Sequence, residues 1–461
     1  MGTAEQGLGE LIGVEVPAAV LERLSVAGPR YTSYPTANLF DPAFGPERFA
    51  AALERFGRGP GRLSLYVHVP FCRSLCHYCA CNVTVTRRPG AGAEFLSILA
   101  REVELAARAL GRKMPVTQLH LGGGTPTFLD PDELRRLHAL LAERFDLQRL
   151  EEAAVEVDPR ATSREQLATL AGLGWNRASF GVQDFDPAVQ RAINRLQSVE
   201  ETRSVVQAAR ELGFRGINLD LIYGLPFQRL DTFRRTLEEV LALRPDRVAL
   251  YAYAHVPWMR PAQASFDRRG FPRAGPAERL ELLREAVRAL GAAGYLHLGM
   301  DHFALPDDEL ALARERGALH RNFQGYTVRR AEGLLGLGPS AISDLAAVYA
   351  QNGRDLAEWR APLEQGRLAT VRGWELSHED ELRRDAILAV MTGRALSGEF
   401  LAARPEVGAR LEPLAADGLV RFGPDGACEA TPAGRFFLRN LAMTLDAYLP
   451  EARERRFSAA V

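Results

Sequence analysis

Six short apolar runs, each closing on a polar or glycine-rich turn, constrain this chain more than any other feature. They are "LSLYVHVP" (63–70), "VTQLHLGGGTP" (116–126), "AAVEVDP" (153–159), "NRASFGVQ" (176–183), "INLDLIYGLP" (217–226) and "RVALYAYAHVP" (247–257). Between them, apolar residues recur at helical spacing over 93–111, 131–145, 199–213 and 231–243. In "DPDELRRLHALLAERF" Asp130 reads as an N-cap, Pro131 suits the first turn, and leucines follow at helical intervals. Strand–helix units in series imply a parallel sheet with right-handed crossovers. Eight units would close a barrel, so six predict an α/β fold with an open, partial (β/α)6 barrel. Chemistry in such folds sits at the C-terminal ends of the strands. The conspicuous motifs of this chain all fall there.

Beyond residue 257 the pattern changes. "GYLHLGMDHFALP" (294–306) reads as a further strand and turn, while "LHRNFQGYT" (319–327) and "LLGLGPSAIS" (334–343) show no clear period. Helical spacing returns from about 375, and "LVRFGPDGACEATPAGRFF" (419–437) reads as a hairpin leading into a helix. The expected organisation is an N-terminal arm at 1–50, the barrel with its extension at 51–370, and a small helical, winged-helix-like C-terminal domain at 371–461. A chain of 461 residues that is 47% hydrophobic can bury such a core. With 57 basic and 58 acidic residues it lacks the electrostatic footprint of a nucleic-acid binder. "MGTAEQGLGELIG" has neither a basic nor an apolar leader region, and no apolar run is long enough to span a membrane. The expectation is a cytoplasmic protein.

Four of the five cysteines are bunched in "CRSLCHYCAC": Cys72, Cys76, Cys79 and Cys81. A secreted disulfide framework would spread them, so metal or redox chemistry is the better reading. Structural zinc takes four thiolates, usually from two separated CxxC pairs. Iron–sulfur clusters also take thiolates, normally four. The CxxxCxxC spacing can reach three irons of a [4Fe–4S] cube. Cys81 lies two residues past Cys79, on the same side of an extended backbone, so local geometry leaves it open as a further ligand.

"CRSLCHYC" resembles the CxxxCxxC loop of the radical S-adenosylmethionine (SAM) superfamily. The resemblance implies that Cys72, Cys76 and Cys79 hold a [4Fe–4S] cluster and leave the fourth iron to the amino and carboxylate groups of SAM. An open position is what a catalytic metal keeps. "CRSLCHYCACN", "PRYTSYPT" (29–36), "GGGTPT", "EVDPR", "GVQDF", "DLIYGLP", "GMDHF" and "HRNFQGYT" together are similar to the oxygen-independent coproporphyrinogen III dehydrogenases, a family of haem (porphyrin) biosynthesis. The likeness runs from about residue 29 to the C-terminus. Each motif is weak alone, and the ordered set is specific.

On this resemblance Cys81 is required without being a cluster ligand, and Phe323 and Gln324 lie beside cofactors and substrate in a catalytic role. Gly123, Gly124 and Thr125, with Gly122 before them, approach SAM closely because glycine carries no side chain. Glu156 serves one SAM. Asp220 serves a second, with Gln183 and Arg195 around it. Tyr66 and Tyr78 set aromatic rings against SAM, and Ala254 and Ile342 are apolar contacts. Without the resemblance these residues read as a tight turn, salt-bridged carboxylates and packed core. Cys428 reads as an ordinary thiol, and His68, His255, His297 and His302 as core or rim residues rather than a second metal site. Leu121 departs from the aromatic that is frequent before the glycines in the family.

The implied activity is an oxidoreductase reaction. A 5′-deoxyadenosyl radical takes hydrogen from the β-carbon of a propionate of coproporphyrinogen III, and loss of CO2 and one electron leaves a vinyl group. Two such oxidative decarboxylations give protoporphyrinogen IX. The implied partners are the substrate and a flavodoxin- or ferredoxin-type electron donor, with neither nucleic acid nor membrane, and the chain is expected to be a monomer. Arg30 and Arg321 are candidate partners for substrate carboxylates. The arm is expected to cover the open side of the barrel. The alternative is a related haem chaperone, which binds haem without dehydrogenase activity. It typically lacks the fourth cysteine and the arm, whereas Cys81 and "PRYTSYPT" are present here. A zinc-dependent interaction protein would explain the cysteines but not the glycine and carboxylate motifs.

Overall fold

The computed structural model describes residues 17–328, 331–449 and 457–458. The expected N-terminal arm and C-terminal domain lie partly outside the described residues, and "MGTAEQGLGELIG" lies wholly outside them.

The six apolar runs form β1 (Leu63–Val69), β2 (Val116–Gly123), β3 (Glu152–Val157), β4 (Arg177–Gln183), β5 (Gly216–Tyr223) and β6 (Arg247–Ala252). They pair in that order and all in parallel. Helices Ala91–Leu110, Pro131–Arg144, Arg164–Gly172, Val199–Glu211 and Leu230–Ala242 make the crossovers. Their starts are written in the sequence. The Asp130 carboxylate accepts the Glu133 amide at 2.8 Å, and the Glu133 side chain accepts the Asp130 amide at 3.0 Å. Ser163 with Gln166 and Ser198 with Glu201 repeat this reciprocal cap.

The sheet does not stop at six strands. β7 (Leu296–Gly299), β8 (His302–Ala304), β9 (Gly333–Leu337), β10 (Ile342–Asp344), β11 (Val348–Asn352) and β12 (Thr370–Glu375) extend both edges. The order is β12-β11-β10-β9-β1-β2-β3-β4-β5-β6-β8-β7, an open twelve-stranded sheet. β9 runs parallel to β1, and the outer strands on either side are antiparallel. The region 294–306 is thus a hairpin rather than one strand and a turn. The two segments without a period are the short hairpin His320–Asn322/Gly325–Thr327 and the β9–β10 pair. All five residues of β9 are buried, so no alternation marks it, as in other strands covered on both faces.

Two expected boundaries cut through elements. Position 50/51 falls inside helix Pro46–Arg58, whose Phe49, Ala52 and Leu53 pack into the barrel core. Position 370/371 falls inside β12, which pairs with β11. The C-terminal region carries helices His378–Met391, Pro405–Ala416 and Leu438–Leu445 around the hairpin Val420–Phe422/Cys428–Ala430, and Cys428 is buried there. The arm is not a flap. Val20, Leu21, Leu24, Tyr31 and Tyr34 share one apolar core with Ile387, Met391, Leu441 and Leu445. No helix among the described residues is long and apolar enough to cross a membrane.

Tyr34 is 1% exposed, and its hydroxyl accepts the Ala447 amide at 3.1 Å. Tyr34→Ala should therefore lower stability by roughly 3–5 kcal/mol, the usual loss for a large buried ring. Urea unfolding of the two proteins measures it, and a loss below about 1 kcal/mol would show that the arm is not part of that core.

Candidate active site

The cysteine loop leaves the C-terminal end of β1 and is held by backbone on every side. The amides of Gly124 and Thr125, after β2, donate to the carbonyls of Val69 and Phe71, each at 2.8 Å. The amides of Thr84 and Thr86 donate to Pro70 and Cys72 at 2.7 and 3.0 Å. A Cβ on Gly124 would stand 2.6 Å from the Phe71 carbonyl oxygen, so only glycine lets these two turns touch. Gly123 has φ +111°, and a Cβ there would meet the His68 ring at 2.7 Å. Farther along, Asn194 Nδ2 donates to the Leu75 carbonyl at 2.8 Å, Gln263 Nε2 to that of Tyr78 at 2.8 Å and Arg260 Nε to that of Ala80 at 2.8 Å.

The thiols differ in surroundings. Burial pushes the Cys72 thiol up to about 11, with the Thr125 hydroxyl 3.6 Å away opposing it. A hydrogen bond from Cys81 holds the Cys79 thiol below its ordinary range. Cys76 is faced by two guanidinia, with Arg160 Nη2 at 3.6 Å and Arg195 Nη1 at 3.7 Å. Both arginines also grip Asp158, at 2.7 and 3.1 Å. Burial works against the Asp158 charge, but the two arginines outweigh it and keep the carboxyl below its ordinary range. Positive charge is therefore fixed beside Cys76.

Two carboxylates stand deeper in the barrel. Glu156 on β3 accepts the Gly123 amide at 3.0 Å, and His120 Nε2 lies 3.5 Å from its other oxygen. Burial opposes its charge, yet these partners hold it below the usual carboxylate range. Asp220 on β5 accepts the Ser179 hydroxyl and the Asn218 amide group, each at 2.8 Å. Burial still raises it to about 6, and the nearby Glu156 charge adds to the rise.

Two cavities bring the candidate residues together. The first, about 420 Å³, is lined by Cys72, Cys76, Cys79, Cys81, Tyr78, Gly123, Gly124, Thr125, Glu156, Gln183, Arg195, Asp220 and Ala254. The second, about 710 Å³, is lined by Tyr66, Phe323, Gln324 and Ile342. Cys81, Glu156 and Tyr251 line both, so the two adjoin. Arg30 lines the first. Arg321 lines neither, and its guanidinium lies 5.0 Å over the Tyr326 ring within the short hairpin. Gly122 lines neither cavity, but a Cβ on it would meet Glu156 at 2.8 Å. Among the described residues no three Cys, His, Asp or Glu side chains converge as ligands of a single ion. His68, His255 and His297 each place a ring nitrogen in a hydrogen bond, and His302 packs against Tyr251 and Tyr326.

The donor set fits an iron–sulfur cluster and a bound SAM. Four thiols of one short loop face a cavity with basic side chains beside Cys76, and glycine turns and carboxylates line the same space. Sequence reasoning missed Asp158, Arg160, His120 and Tyr251. The first two stand in the quoted "EVDPR". His120 stands two positions before Gly122, and Tyr251 begins "YAYAH", so facing the barrel interior is the only signal they carry.

The Radical SAM superfamily model matches residues 66–240. The chain is 44% identical over 455 residues to the oxygen-independent coproporphyrinogen III oxidase of Pseudomonas aeruginosa, covering 96% of this chain and 98% of that one. It is 38% identical to the protein of the same name from Synechocystis sp., covering 97% and 98%. The solved coproporphyrinogen III oxidase of Escherichia coli, described as a radical SAM enzyme, superposes with a TM-score of 0.87 at 41% identity, covering 95% of this chain and all of that one.

Gly124→Ala should displace Phe71 and Cys72 and so reduce the iron and sulfide held after anaerobic reconstitution. Gly172→Ala is the control, since nothing lies within 4 Å of a Cβ there. Equal iron in both variants would show that the glycine turn does not set the position of the cysteine loop.

Proposed function

Because the chain belongs to the oxygen-independent coproporphyrinogen III oxidases, which are radical SAM enzymes, we propose that Cys72, Cys76 and Cys79 hold the [4Fe–4S] cluster and that the two adjoining cavities take two SAM molecules and coproporphyrinogen III. The reaction is the oxidative decarboxylation of two propionates to vinyl groups, giving protoporphyrinogen IX. One observation carries this reading: apart from Gly122 and Arg321, the residues assigned a role from the sequence motifs line one of two cavities that meet at Cys81 and Glu156. The relatives' names favour the enzyme over a haem chaperone.

When bound, the cluster and SAM supply one-electron cleavage of SAM and hydrogen abstraction from the substrate. The chain does the rest. Arg160 and Arg195 hold positive charge at Cys76 and are themselves held by Asp158. The Gly123–Thr125 backbone and Tyr78 form the wall against which the first SAM is oriented. Glu156, ionised by its partners, accepts its ribose hydroxyls. Asp220 and Gln183, with Arg195, face the second SAM. Phe323, Tyr66 and Ile342 close the second cavity against water, and Gln324 offers an amide to the reacting groups. Cys81 stands where both cavities meet, with its thiol hydrogen-bonded to Cys79. We further assign the chain to the cytoplasm as a monomer served by a flavodoxin- or ferredoxin-type donor. The near balance of 57 basic and 58 acidic residues supports a role without nucleic acid.

Replacing Cys72, Cys76 or Cys79 by Ala should abolish iron binding, whereas Cys81→Ala should keep the cluster and lose protoporphyrinogen formation. Iron and sulfide counts on the four variants decide it. Loss of the cluster in Cys81→Ala would mean that a fourth thiol is a ligand. Asp220→Ala should give up one of two bound SAM equivalents, and a single equivalent in the unmutated protein would sink the two-SAM assignment.

A further inference from the structure

Arginines of the arm, of helix Pro276–Ala292 and of the C-terminal helix Leu438–Leu445 lie near one another, and Arg30 of the arm lines the first cavity where β5 and β6 end. Arg30 of the arm donates from Nη2 to the Ala252 carbonyl at 2.9 Å. Arg279, in the first turn of helix Pro276–Ala292, reaches the next carbonyl, that of Tyr253, through Nη2 at a long 3.5 Å. Ala252 and Tyr253 both line the cavity, as does Arg30. Arg439 is 5% exposed and donates from Nε to the Pro29 carbonyl at 3.1 Å and from Nη2 to that of Gly28, which fixes the backbone on which Arg30 sits.

The charges here do not balance. Asp301 is the carboxylate that faces this group, and it stands 3.4 Å from Arg30 Nη1, too far for a strong pair. Arg279 Nε is buried and has no hydrogen-bond partner among the described residues. Burial, with Arg30 as the nearest like charge, brings Arg439 down to about 9, and burial also lowers Arg279. The phenol of Tyr223 stands within the field of all three arginines and of Asp301. Arg30 and Arg279 share one carboxylate, 3.4 Å from Arg30, and two carbonyls. A carbonyl satisfies an N–H but does not neutralise a buried charge. Such a group is complete only when an anion joins it, and the planar guanidinium fork matches a carboxylate.

We propose that Arg30 and Arg279, with Arg439 as the residue that positions the arm, form a subsite for one propionate carboxylate of the porphyrinogen. The assignment rests on the function proposed above and adds a residue, Arg279, that no sequence motif marks. It also gives the arm a role its buried tyrosines do not explain: it carries Arg30 from the C-terminal core to the cavity rim. A substrate held there by a carboxylate presents its other propionates into the cavities.

The test uses anaerobically reconstituted protein and two probes, the stable oxidised coproporphyrin III and its tetramethyl ester, which lacks the carboxylates. Binding is followed by fluorescence titration, and SAM binding is measured in parallel. Arg279→Gln and Arg30→Gln should each weaken coproporphyrin III binding about tenfold or more, the loss expected for a charge-assisted contact, and leave ester and SAM binding unchanged. Arg279→Lys, which keeps the charge without the fork, should fall between them and guards against a folding defect in Arg279→Gln. Undiminished binding of coproporphyrin III by Arg279→Gln or Arg279→Lys with intact iron content overturns the subsite and leaves the proposed function standing. Unmutated protein that neither binds coproporphyrin III nor turns over coproporphyrinogen III overturns both.

Discussion

The hydrogen bond from the Thr125 amide to the Phe71 carbonyl, with its neighbour from Gly124 to Val69, joins the ends of β1 and β2 into one rigid turn. Everything that handles the reaction hangs on that junction. The cysteine loop has only the two-residue strand Phe71–Cys72 of its own to fix it. It borrows order from β2, from the strand Thr84–Val85 and from side chains that cap its carbonyls. Since Gly124 tolerates no Cβ there, the glycine run is a steric requirement of the junction before it is a cofactor contact.

Charge is arranged outward from the same point. Asp158, at the end of β3, holds Arg160 and Arg195 so that both face Cys76. Arg195 also donates to the Gly181 carbonyl at 2.7 Å, which ties the loop's electrostatics to β4. Glu156 and Asp220 occupy alternate strands, with Ser179 of β4 between them. Against burial, hydrogen bonds hold Glu156 below the usual carboxylate range, whereas burial raises Asp220 to about 6. Strand ends of a parallel sheet can set such groups around one space because each contributes from a fixed register.

The parts of the fold legible in the sequence are those with strong local signals. β1 to β6 are apolar runs bounded by turns, and three of their five crossover helices carry Ser or Asp caps. β9 and β10 were opaque because "GLLGL" is buried on both faces and rich in glycine. β12 was opaque because its partner β11 supplies the reason for its extended backbone. The arm's tyrosines could be read as ordered, but not as the core of a domain more than 350 residues away in sequence. At the site, the thiols announced themselves through spacing, whereas the glycines and carboxylates were marked only by the family resemblance of their motifs. Arg279 could not, since an arginine in the first turn of an amphipathic helix reads as an ordinary surface charge. Tyr251 and His120 gain meaning only when the strands are assembled around one interior.

Under the proposed function, two adjoining cavities at one end of an open sheet work as a single chamber for SAM and a porphyrinogen. Its most direct test is parallel quantitation of 5′-deoxyadenosine and protoporphyrinogen from the anaerobically reconstituted protein, with and without reductant and coproporphyrinogen III. The account predicts that both products require both additions, with about two SAM molecules cleaved per protoporphyrinogen because two propionates react. Reductant-driven cleavage of SAM that never yields protoporphyrinogen, under conditions where coproporphyrinogen III remains intact, would contradict it.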